Sequence, residues 1–457
     1  MFSLRSTVTP PPKASSVAKP TSKLNRSTGG LRCAAVSDVG MRRASNQDSM
    51  AVALAGDDRD WRSRGHLFVV ADGMGAHAAG ELASQIATDS IPHAYQKRPD
   101  LPPCESIIAA VHDANSRINA KGSNSVDFHG MGTTCSCLLL LPDGAMAAHV
   151  GDSRVYRLRG HTIDQLTFDH SLVWEMAAAG HATEEEVPAY VPKNVITRSL
   201  GPHPTVKVDL EGPLPIRAGD RFLLCSDGLT GPLSPQLIGM VLASLPPEDA
   251  AQTLVDLANL LGGPDNITVI IAEVADPALL GQKKNGYAWA DAVAPLGKGA
   301  GAHDWYFIAA LVLELAAGGL LFARGLTTAA FILASLAVAT LVGWIMLRTK
   351  GENPCRGVRG HYGKAPYRSY AVAPSAQSIE LLSDVVRQLE DLEAQRSWPF
   401  EWKEVHADRH AAHKAIAAGD FTAAVVAYSS AVRRLMQAVR AHRPEPPSDS
   451  GINLSAG

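Results

Sequence analysis

The stretch at 67–81, LFVVADGMGAHAAGE, constrains the fold of this chain more than any other. Its first five residues are apolar and partly β-branched, which predicts a buried strand, and the strand ends abruptly at Asp72-Gly73. The glycines that follow allow a tight turn beside the carboxylate. A single Asp-Gly pair is more often a plain turn. The pattern recurs, however, because RFLLCSDGL at 221–229 is a second apolar strand that ends in Asp227-Gly228.

Composition sets the broad class of the protein. With 457 residues, 46% of them hydrophobic, the chain is long enough for two or three domains. The net charge of −3 gives no sign of a nucleic-acid partner. The six cysteines lack the spacing of a metal site or a disulfide framework, and Cys135 and Cys137 are expected to be buried on one side of a strand. A reducing, cytosolic setting is expected for the soluble part.

The first 32 residues form a separate segment in this prediction. They contain six Lys or Arg residues, no acid and many Ser, Thr and Pro residues. Such a segment cannot bury enough apolar surface to fold, so we expect a disordered basic arm over 1–32. The same composition also fits an organelle transit peptide, which stays open as an alternative.

From 33 to 275 the pattern alternates between strands and helices. A basic loop, GMRRASNQD at 40–48, precedes a strand at 49–54. Strand patterns on either side of a Pro-Asp-Gly turn at 142–144 predict an antiparallel hairpin. The other expected features are a helix at 106–120, an insertion over the sheet edge at 164–205, a strand-rich block at 206–225, helices at 234–245 and 249–261, and a closing strand at 265–274.

Carboxylates stand at several predicted strand or hairpin ends of this segment: Asp48, Asp72, Asp152, Asp227 and Asp265. Each alone would be a turn residue or a cap. Together they are the hard oxygen ligands that Mg²⁺ and Mn²⁺ prefer, with no His/Cys cluster to favour zinc or copper. Clustered carboxylates repel one another unless cations lie between them, so a polynuclear metal site is predicted.

Arg43 stands five residues before Asp48, in the same basic loop. Its guanidinium matches a phosphate dianion in geometry and charge. A metal site with an arginine beside it indicates phosphoryl chemistry.

The motifs of this segment follow the order found in one known family. The chain resembles the metal-dependent Ser/Thr protein phosphatases of the type 2C (PPM) class, in their bacterial form, through GMRRASNQD, VVADGMGAHAAGELAS, GMGTTCSCLLL, AHVGDSRVYRL, LTFDHS, NVITRSLG, DRFLLCSDGLTGPL and DNITVIIAEV. The resemblance implies an α+β fold over 33–275, with two antiparallel β-sheets sandwiched between helices (αββα). It also implies hydrolysis of phosphoserine and phosphothreonine on proteins by attack of a metal-bridged water. The implied cofactors are two Mn²⁺ or Mg²⁺ ions, with a third in bacterial members.

The resemblance assigns a role to each metal-site candidate. Asp72 resembles the acid that bridges two metals, and the carbonyl of Gly73 resembles a ligand of the first. Asp227 and Asp265 resemble ligands of the second metal. Asp48 resembles the acid that orders metal-bound water.

Further positions match the family with two departures. Asp152 matches an acid that helps to hold a third metal, Arg43 matches the phosphate-binding arginine, and Asn266 matches the asparagine beside the last metal acid. Gln47 stands where animal members have a second acid, as it often does in bacterial members.

Met74 stands where animal members carry a histidine thought to act as general acid, so the proton donor for the leaving group stays unidentified. His77 and His170 lie within the matched motifs, and an ordinary hydrogen-bonding or surface role is expected for each. A water on the third ion is an equal alternative.

A transmembrane helical hairpin is predicted at 305–347. Residues 305–322 are apolar except for Glu314, and 326–347 are apolar without a charge, so each is long enough to span a bilayer. A buried soluble helix is the alternative for the first stretch. Glu314 would be costly in lipid and is expected to face the partner helix or to be protonated. Lys and Arg residues after the second span place both flanks on the cytoplasmic side of the cell (inner) membrane.

The other segments are a linker at 276–304, a basic linker at 348–374, a helical region at 375–442 and a disordered tail at 443–457. Helices are predicted at 378–395, 400–418 and 421–440. The stretch GDFTAAVVAYSSAV resembles one helix of a tetratricopeptide repeat, but stable arrays need about three repeats, so a small helical bundle is expected. This region is a candidate site for a protein partner.

These features predict a membrane-anchored phosphoprotein phosphatase that opposes Ser/Thr protein kinases. A non-catalytic phosphoprotein receptor or scaffold on the same fold is the alternative, which the full set of metal acids and Arg43 disfavours. A metal-dependent nuclease would also use clustered acids, but the charge balance and the motif order argue against it.

Overall fold

The computed structural model describes residues 21–28, 30–75, 78–180, 195–275, 362–372 and 402–441, with shorter stretches between 313 and 340 and between 374 and 388. Two antiparallel sheets stack face to face over most of the chain before 275, and helices cover both outer faces. The expected αββα sandwich is confirmed for this part of the chain.

The strands account for both sheets. In chain order they are β1 Thr21–Thr28, β2 Leu31–Asp38, β3 Asp48–Ala53, β4 His66–Met74, β5 Gly132–Thr133, β6 Cys135–Leu141, β7 Gly144–Val150, β8 Arg154–Arg159, β9 Thr162–Gln165, β10 Asp209–Leu214, β11 Arg221–Cys225, β12 Ile267–Val274 and β13 Arg368–Ala371. Within the described residues, the first sheet has the order β1-β2-β12-β11-β8-β9-β13. The second has the order β10-β7-β6-β4-β3, and β5 pairs with β4.

The helices form the outer layers. They are α1 Asp58–Ser63, α2 Ala79–Gln96, α3 Pro103–Ser123, α4 Leu172–Ala178, α5 Asp227–Thr230, α6 Pro235–Ser244, α7 Pro247–Leu260, α8 Lys403–Ala417 and α9 Phe421–Ala441. Helices α2 and α3 cover the second sheet, whereas α6 and α7 cover the first. The helices expected at 106–120, 234–245 and 249–261 are therefore confirmed.

Strand β4 shows why a continuous apolar run forms at the centre of the sandwich. Phe68 and Val70 lie between the two sheets, in the same cluster as Phe222. Leu67 and Val69 lie on the other face, under α2 and α3. Because both faces of the strand are buried, it lacks the polar alternation of a half-exposed strand. The expected burial of Cys135 and Cys137 is confirmed in the same layer.

The disordered basic arm expected over 1–32 is wrong in part. Residues 21–28 form β1, which pairs with β2 along its whole length. The other edge of β2 pairs with β12, so β1 covers an edge that would otherwise expose unpaired N–H and C=O groups. Main-chain pairing does not need an apolar segment, which is why composition did not reveal the strand. Residues 1–20 lie outside the described residues.

Part of the basic linker expected over 348–374 belongs to the sandwich. Strand β13 pairs with β9 and extends the first sheet. The buried carboxylate of Glu211 accepts the N–H groups of Lys364 and Ala365 at 2.8 and 2.9 Å and the hydroxyl of Tyr367 at 2.6 Å. The linker prediction is therefore wrong for residues 362–372, because a buried acid and a free strand edge hold them in place.

The C-terminal helices pack on the sandwich as well. Helix α9 contacts α6 and α7, and Tyr428 and Val432 share the apolar core that contains Leu254. Helix α8 packs along α9, where Arg434 Nε lies 2.9 Å from Asp408 Oδ2. The helices expected at 400–418 and 421–440 are confirmed, but they lie on the sandwich instead of forming a bundle of their own.

The predicted membrane hairpin is described only in part. Helical stretches between 313 and 340 lie on either side of a turn at Arg324-Gly325. Thr340 Oγ1 donates a hydrogen bond to Glu314 Oε1 at 3.3 Å, in agreement with the expectation that Glu314 faces the partner helix. No helix in the described part of the chain is long and apolar enough to cross a membrane. Residues 305–312 and 341–347 of the predicted hairpin lie outside that part.

Candidate metal centre

Asp72 lies in strand β4, and hydrogen bonds hold its main chain in place. The N–H of Asp72 donates to Thr134 Oγ1 at 2.9 Å, and its carbonyl accepts from the Thr134 N–H at 2.8 Å and from Thr133 Oγ1 at 2.9 Å. A Cβ atom at Gly73 would lie 2.0 Å from the carbonyl oxygen of Gly80, so only glycine fits where the strand approaches α2. The carboxylate is therefore held by a strand and not by a loose turn.

Asp48 lies directly opposite Asp72 in the pairing of β3 with β4. Directly paired residues of an antiparallel ladder point to the same face with neighbouring Cβ atoms. Asp48 Oδ2 accepts a hydrogen bond from Ser226 Oγ at 2.7 Å. Ser226 Oγ in turn accepts a hydrogen bond from the N–H of Thr268 at 2.9 Å. Ser226 thus connects an acid of the second sheet to strands of the first sheet.

The first sheet supplies two more acids. Asp227 follows β11 and begins α5, and Asp265 precedes β12, the neighbour of β11. Arg43 extends from the loop after β2, and its Nη2 lies 2.7 Å from Asp265 Oδ2. Half of the Arg43 side chain is exposed, so the guanidinium stands at the rim of the acidic cluster.

Asn266 fixes the loop that carries Arg43. Its Oδ1 accepts the N–H of Gln47 at 2.8 Å, and its Nδ2 donates to the carbonyls of Val39 and Ser45 at 2.9 Å each. One amide side chain therefore satisfies three main-chain groups of the same loop. Asn266, the neighbour of Asp265, therefore holds this loop in place at the edge of the acidic cluster.

Asp152 is buried in the turn between β7 and β8. The preceding Gly151 donates its N–H to His170 Nδ1 at 2.9 Å, and His170 Nε2 lies 3.0 Å from Asp209 Oδ2. Both ring nitrogens of the buried His170 thus have polar partners, and Nδ1 holds the turn, which agrees with the expected hydrogen-bonding role. His77 lies outside the described residues.

Burial and mutual repulsion raise the pKa values of Asp48, Asp72, Asp152 and Asp227. Loss of solvent raises the pKa of Asp48 to about 7, and the charges of Asp227 and Asp265 add to the effect. Burial, followed by the charge of Asp227, raises the pKa of Asp152 to about 8. The pKa values of Asp72 and Asp227 are also raised, again chiefly by burial. Positive charge among these carboxyl groups is therefore strongly favoured.

The donor set fits an oxygen-ligated divalent cation. Oδ1 of Asp48, of Asp152 and of Asp227 is buried and has no hydrogen-bond partner among the described residues. Uncompensated buried carboxylate oxygens are costly, and a hard cation satisfies them. As they are placed, no three His, Cys, Asp or Glu side chains in the described part of the chain stand close enough together to hold one ion.

Sequence reasoning missed two supports of this site, Ser226 and Thr134. Ser226 hydrogen-bonds Asp48, and Thr134 holds the backbone of Asp72. Both stand beside residues that the sequence did single out, Ser226 directly before Asp227 and Thr134 inside the GTT motif. A hydroxyl residue next to a strand-end acid is the signal that could have found Ser226.

Comparisons with known proteins point to one family. A family model described as Protein phosphatase 2C matches residues 41–264. The serine/threonine protein phosphatase PstP of Mycobacterium tuberculosis (strain ATCC 25618 / H37Rv) is 39% identical over 249 residues, which is 54% of this chain and 45% of PstP. The protein phosphatase PhpP of Streptococcus pneumoniae serotype 2 is 36% identical over 251 residues, 52% of this chain and 96% of PhpP. The match thus spans less than half of PstP but nearly all of PhpP.

Solved structures of such proteins were also found. The M. tuberculosis serine/threonine phosphatase PstP/Ppp has 37% sequence identity and a TM-score of 0.49, covering 54% of this chain and 99% of that chain. The catalytic domain of PstP in complex with two manganese ions has 37% identity and a TM-score of 0.47, with the same coverage. The sequence match to PhpP extends over almost the whole of that protein. This chain therefore belongs to the protein phosphatase 2C family.

Proposed function

We propose that this chain is a metal-dependent phosphatase that hydrolyses phosphoserine and phosphothreonine on proteins and opposes Ser/Thr protein kinases. The observation that carries the proposal is a set of strand-end acids beside the exposed guanidinium of Arg43, with three buried carboxylate oxygens that have no hydrogen-bond partner among the described residues. Membership of the protein phosphatase 2C family supports the same activity. Mn²⁺ or Mg²⁺ is the proposed cofactor, because the available donors are carboxylate and carbonyl oxygens.

The acids hold the cations in this proposal. Two ions would be held by Asp48, Asp72, Asp227, Asp265 and the Gly73 carbonyl. A third ion would be held by Asp152 together with Asp227. Bound cations lower the pKa of water and offset the charge that develops on phosphoryl oxygens. Arg43 binds the phosphate and aligns it at the rim of the acidic cluster.

The activity can be tested on the purified full chain with a phosphothreonine peptide. Release of phosphate should require Mn²⁺ or Mg²⁺ and should stop when a chelator is added. The full chain is preferable to a 33–276 fragment, because such a fragment lacks β1, β13 and α9. Peptide binding without phosphate release under saturating metal would instead indicate a non-catalytic receptor or scaffold.

Arg43→Ala is expected to act on substrate binding. Because the guanidinium meets the phosphate already in the ground state, we expect KM to rise by about tenfold or more while kcat falls much less. Steady-state kinetics on the phosphothreonine peptide measures this split. Arg42→Ala is the matched control, since it removes the same charge from the adjacent exposed position. An unchanged KM in Arg43→Ala would count against the proposed role.

We propose in addition that residues 305–347 anchor the protein in the cell (inner) membrane as a helical hairpin. Large apolar side chains of this region are more than half exposed, among them Leu313, Leu320, Phe331, Ile332 and Val338. Exposed apolar surface of this kind fits lipid better than water. The apolar length of 326–347 supports a complete span.

The sheet topology supports a hairpin over a single span. Strand β12 ends at Val274 and β13 begins at Arg368, and both belong to the first sheet. The chain must therefore leave and return on the same side of a membrane, which requires an even number of crossings. The catalytic domain and the C-terminal helices would both be cytoplasmic, where kinases have access to ATP.

Cysteine labelling in intact cells tests this topology. In a background without native cysteines, Arg324→Cys is expected to react with a membrane-impermeant reagent, because only this turn reaches the outer face. Asp276→Cys and Ala376→Cys should react only after permeabilisation. Labelling of just one of these two positions in intact cells would mean a single span and would contradict the hairpin.

A further inference from the structure

Helix α9 reaches the base of the loop that carries Arg43. Helix α9 lies on α7, and its Arg433 forms an ion pair with Asp249 near the start of α7. Near the other end of α9, Arg440 Nη2 lies 2.7 Å from Asp256 Oδ1 and 3.2 Å from Asp38 Oδ2. Arg440 therefore joins a carboxylate of α7 to a carboxylate at the end of β2.

These two carboxylates are buried and need a cation. The side chains of Asp38 and Asp256 are only 6% and 1% exposed. Burial raises the pKa of Asp256 to about 6, and the guanidinium of Arg440 opposes that rise, whereas the charge of Asp38 adds to it. Arg440 lies between these two buried acids and offsets their mutual repulsion. Loss of Arg440 would leave both carboxylates without this cation.

Asp38 also holds the loop that leads to Arg43. Its Oδ1 accepts the N–H of Gly40 at 2.9 Å and the Nδ2 of Asn259 at 3.1 Å. Gly40 has a φ of 81°, and a Cβ atom there would lie 2.1 Å from the main-chain oxygen of Asp265. The loop thus passes tightly against the backbone of one of the acids of the site.

The next residues of the loop are tied to the end of α7. The N–H groups of Met41 and Arg42 donate to the Gly263 carbonyl at 2.9 and 3.1 Å. The position of the Arg43 backbone therefore depends on Asp38 and the Gly263 carbonyl as well as on Asn266. One oxygen of Asp38 serves the loop, and the other faces Arg440.

We propose that Arg440 is a positioning residue for the phosphate-binding loop, through which the C-terminal helices set the affinity of the site for phosphorylated substrates. The inference rests on the proposed role of Arg43. Arg440 has no described contact with the acids of the candidate metal centre; it pairs with the Asp38 carboxylate, which accepts the Gly40 N–H. A protein that moves α9 would release this carboxylate and loosen the loop, so the helices beyond the proposed hairpin can regulate the site without reaching into it.

The test compares three variants of the full chain. Arg440→Met removes the charge but keeps much of the aliphatic stem, and Arg440→Lys keeps the charge. Arg433→Met is the matched control, because Arg433 lies on the same helix and pairs with α7 but has no described contact with the loop at 38–43. The two readouts are amide hydrogen exchange of residues 39–43 and the separate values of kcat and KM on a phosphothreonine peptide.

We expect Arg440→Met to speed exchange of the loop amides by about tenfold and to raise KM about fivefold, with kcat changed by less than about twofold. Arg440→Lys should restore most of both losses. Arg433→Met should leave loop exchange and KM near those of the wild type. Equal behaviour of Arg440→Met and Arg433→Met in both readouts would overturn the inference, because it would reduce Arg440 to one more contact of the helix.

A double-mutant comparison keeps the inference testable if Arg440→Met alone folds poorly. Asp38→Asn removes the charge that Arg440 compensates, so adding Arg440→Met to it should not raise KM or loop exchange further. Additive effects of the two changes would show that Arg440 acts elsewhere. If the wild-type chain releases no phosphate, the proposed function fails, whereas hydrogen exchange still decides whether Arg440 holds the loop.

Discussion

Asp72→Asn is expected to lower kcat/KM on a phosphothreonine peptide by about a thousandfold or more, and Asp227→Asn is expected to do the same. Both acids belong to the group of buried carboxyl groups whose pKa values are raised. Asp227 Oδ1 is also buried and has no hydrogen-bond partner among the described residues. Asparagine preserves the shape of the side chain but supplies only one oxygen and no charge to a cation. Metal titration followed by activity and by binding should show the loss directly.

The same substitutions are expected to leave the protein folded. In chelator, each variant should melt at or above the temperature of the wild type, because a neutral side chain relieves repulsion among buried acids. Asp89→Asn on the exposed face of α2 is the control and should change neither activity nor melting. Near-wild-type turnover of Asp72→Asn or Asp227→Asn at saturating Mn²⁺ would refute the metal assignment.

Without metal, the protein is expected to lose stability as the pH rises from about 4 to about 8. The pKa values of Asp48, about 7, and Asp152, about 8, lie above that of aspartate in an unfolded chain, which is about 4. Between these values the folded state binds more protons than the unfolded state, so the free energy of unfolding falls with rising pH. In chelator, the melting temperature should therefore be higher at pH 6 than at pH 8, by about 5 °C or more.

Saturating Mn²⁺ should remove or reverse this trend. Deprotonated carboxylates bind cations best, so the metal stabilises the folded state more at pH 8 than at pH 6. The difference between the two conditions isolates the acidic cluster from all other titrating groups. In the Asp48→Asn/Asp152→Asn double variant, the melting temperature in chelator should change much less with pH. If the melting temperature of the wild type changed equally with pH in the presence and absence of Mn²⁺, a metal site at these acids would be contradicted.

The placement of the acids could be predicted because each strand-end acid has a local pattern. An apolar run that ends in Asp-Gly identifies a buried strand and its C-terminal end, and this pattern occurs at both Asp72 and Asp227. Helices α3, α6 and α7 followed from apolar spacing in the same way. The pattern did not reveal the residues that hold the acids in place. One of them is Ser226, which donates a hydrogen bond to Asp48, 178 positions away.

The sequence by itself determined most of the strands and the acids at their ends, because these depend on residues that are close together in the chain. The layered fold was expected only from the resemblance of the motifs to a known family. Only the tertiary structure decided that β1 and β13 complete the first sheet and that Arg440 meets Asp38 across 402 positions. Main-chain pairing leaves almost no compositional trace, since any sequence without proline can form it at an open strand edge. An ion pair between buried groups depends equally on which surfaces the fold brings together, so its partners become visible only when the helices are packed in place.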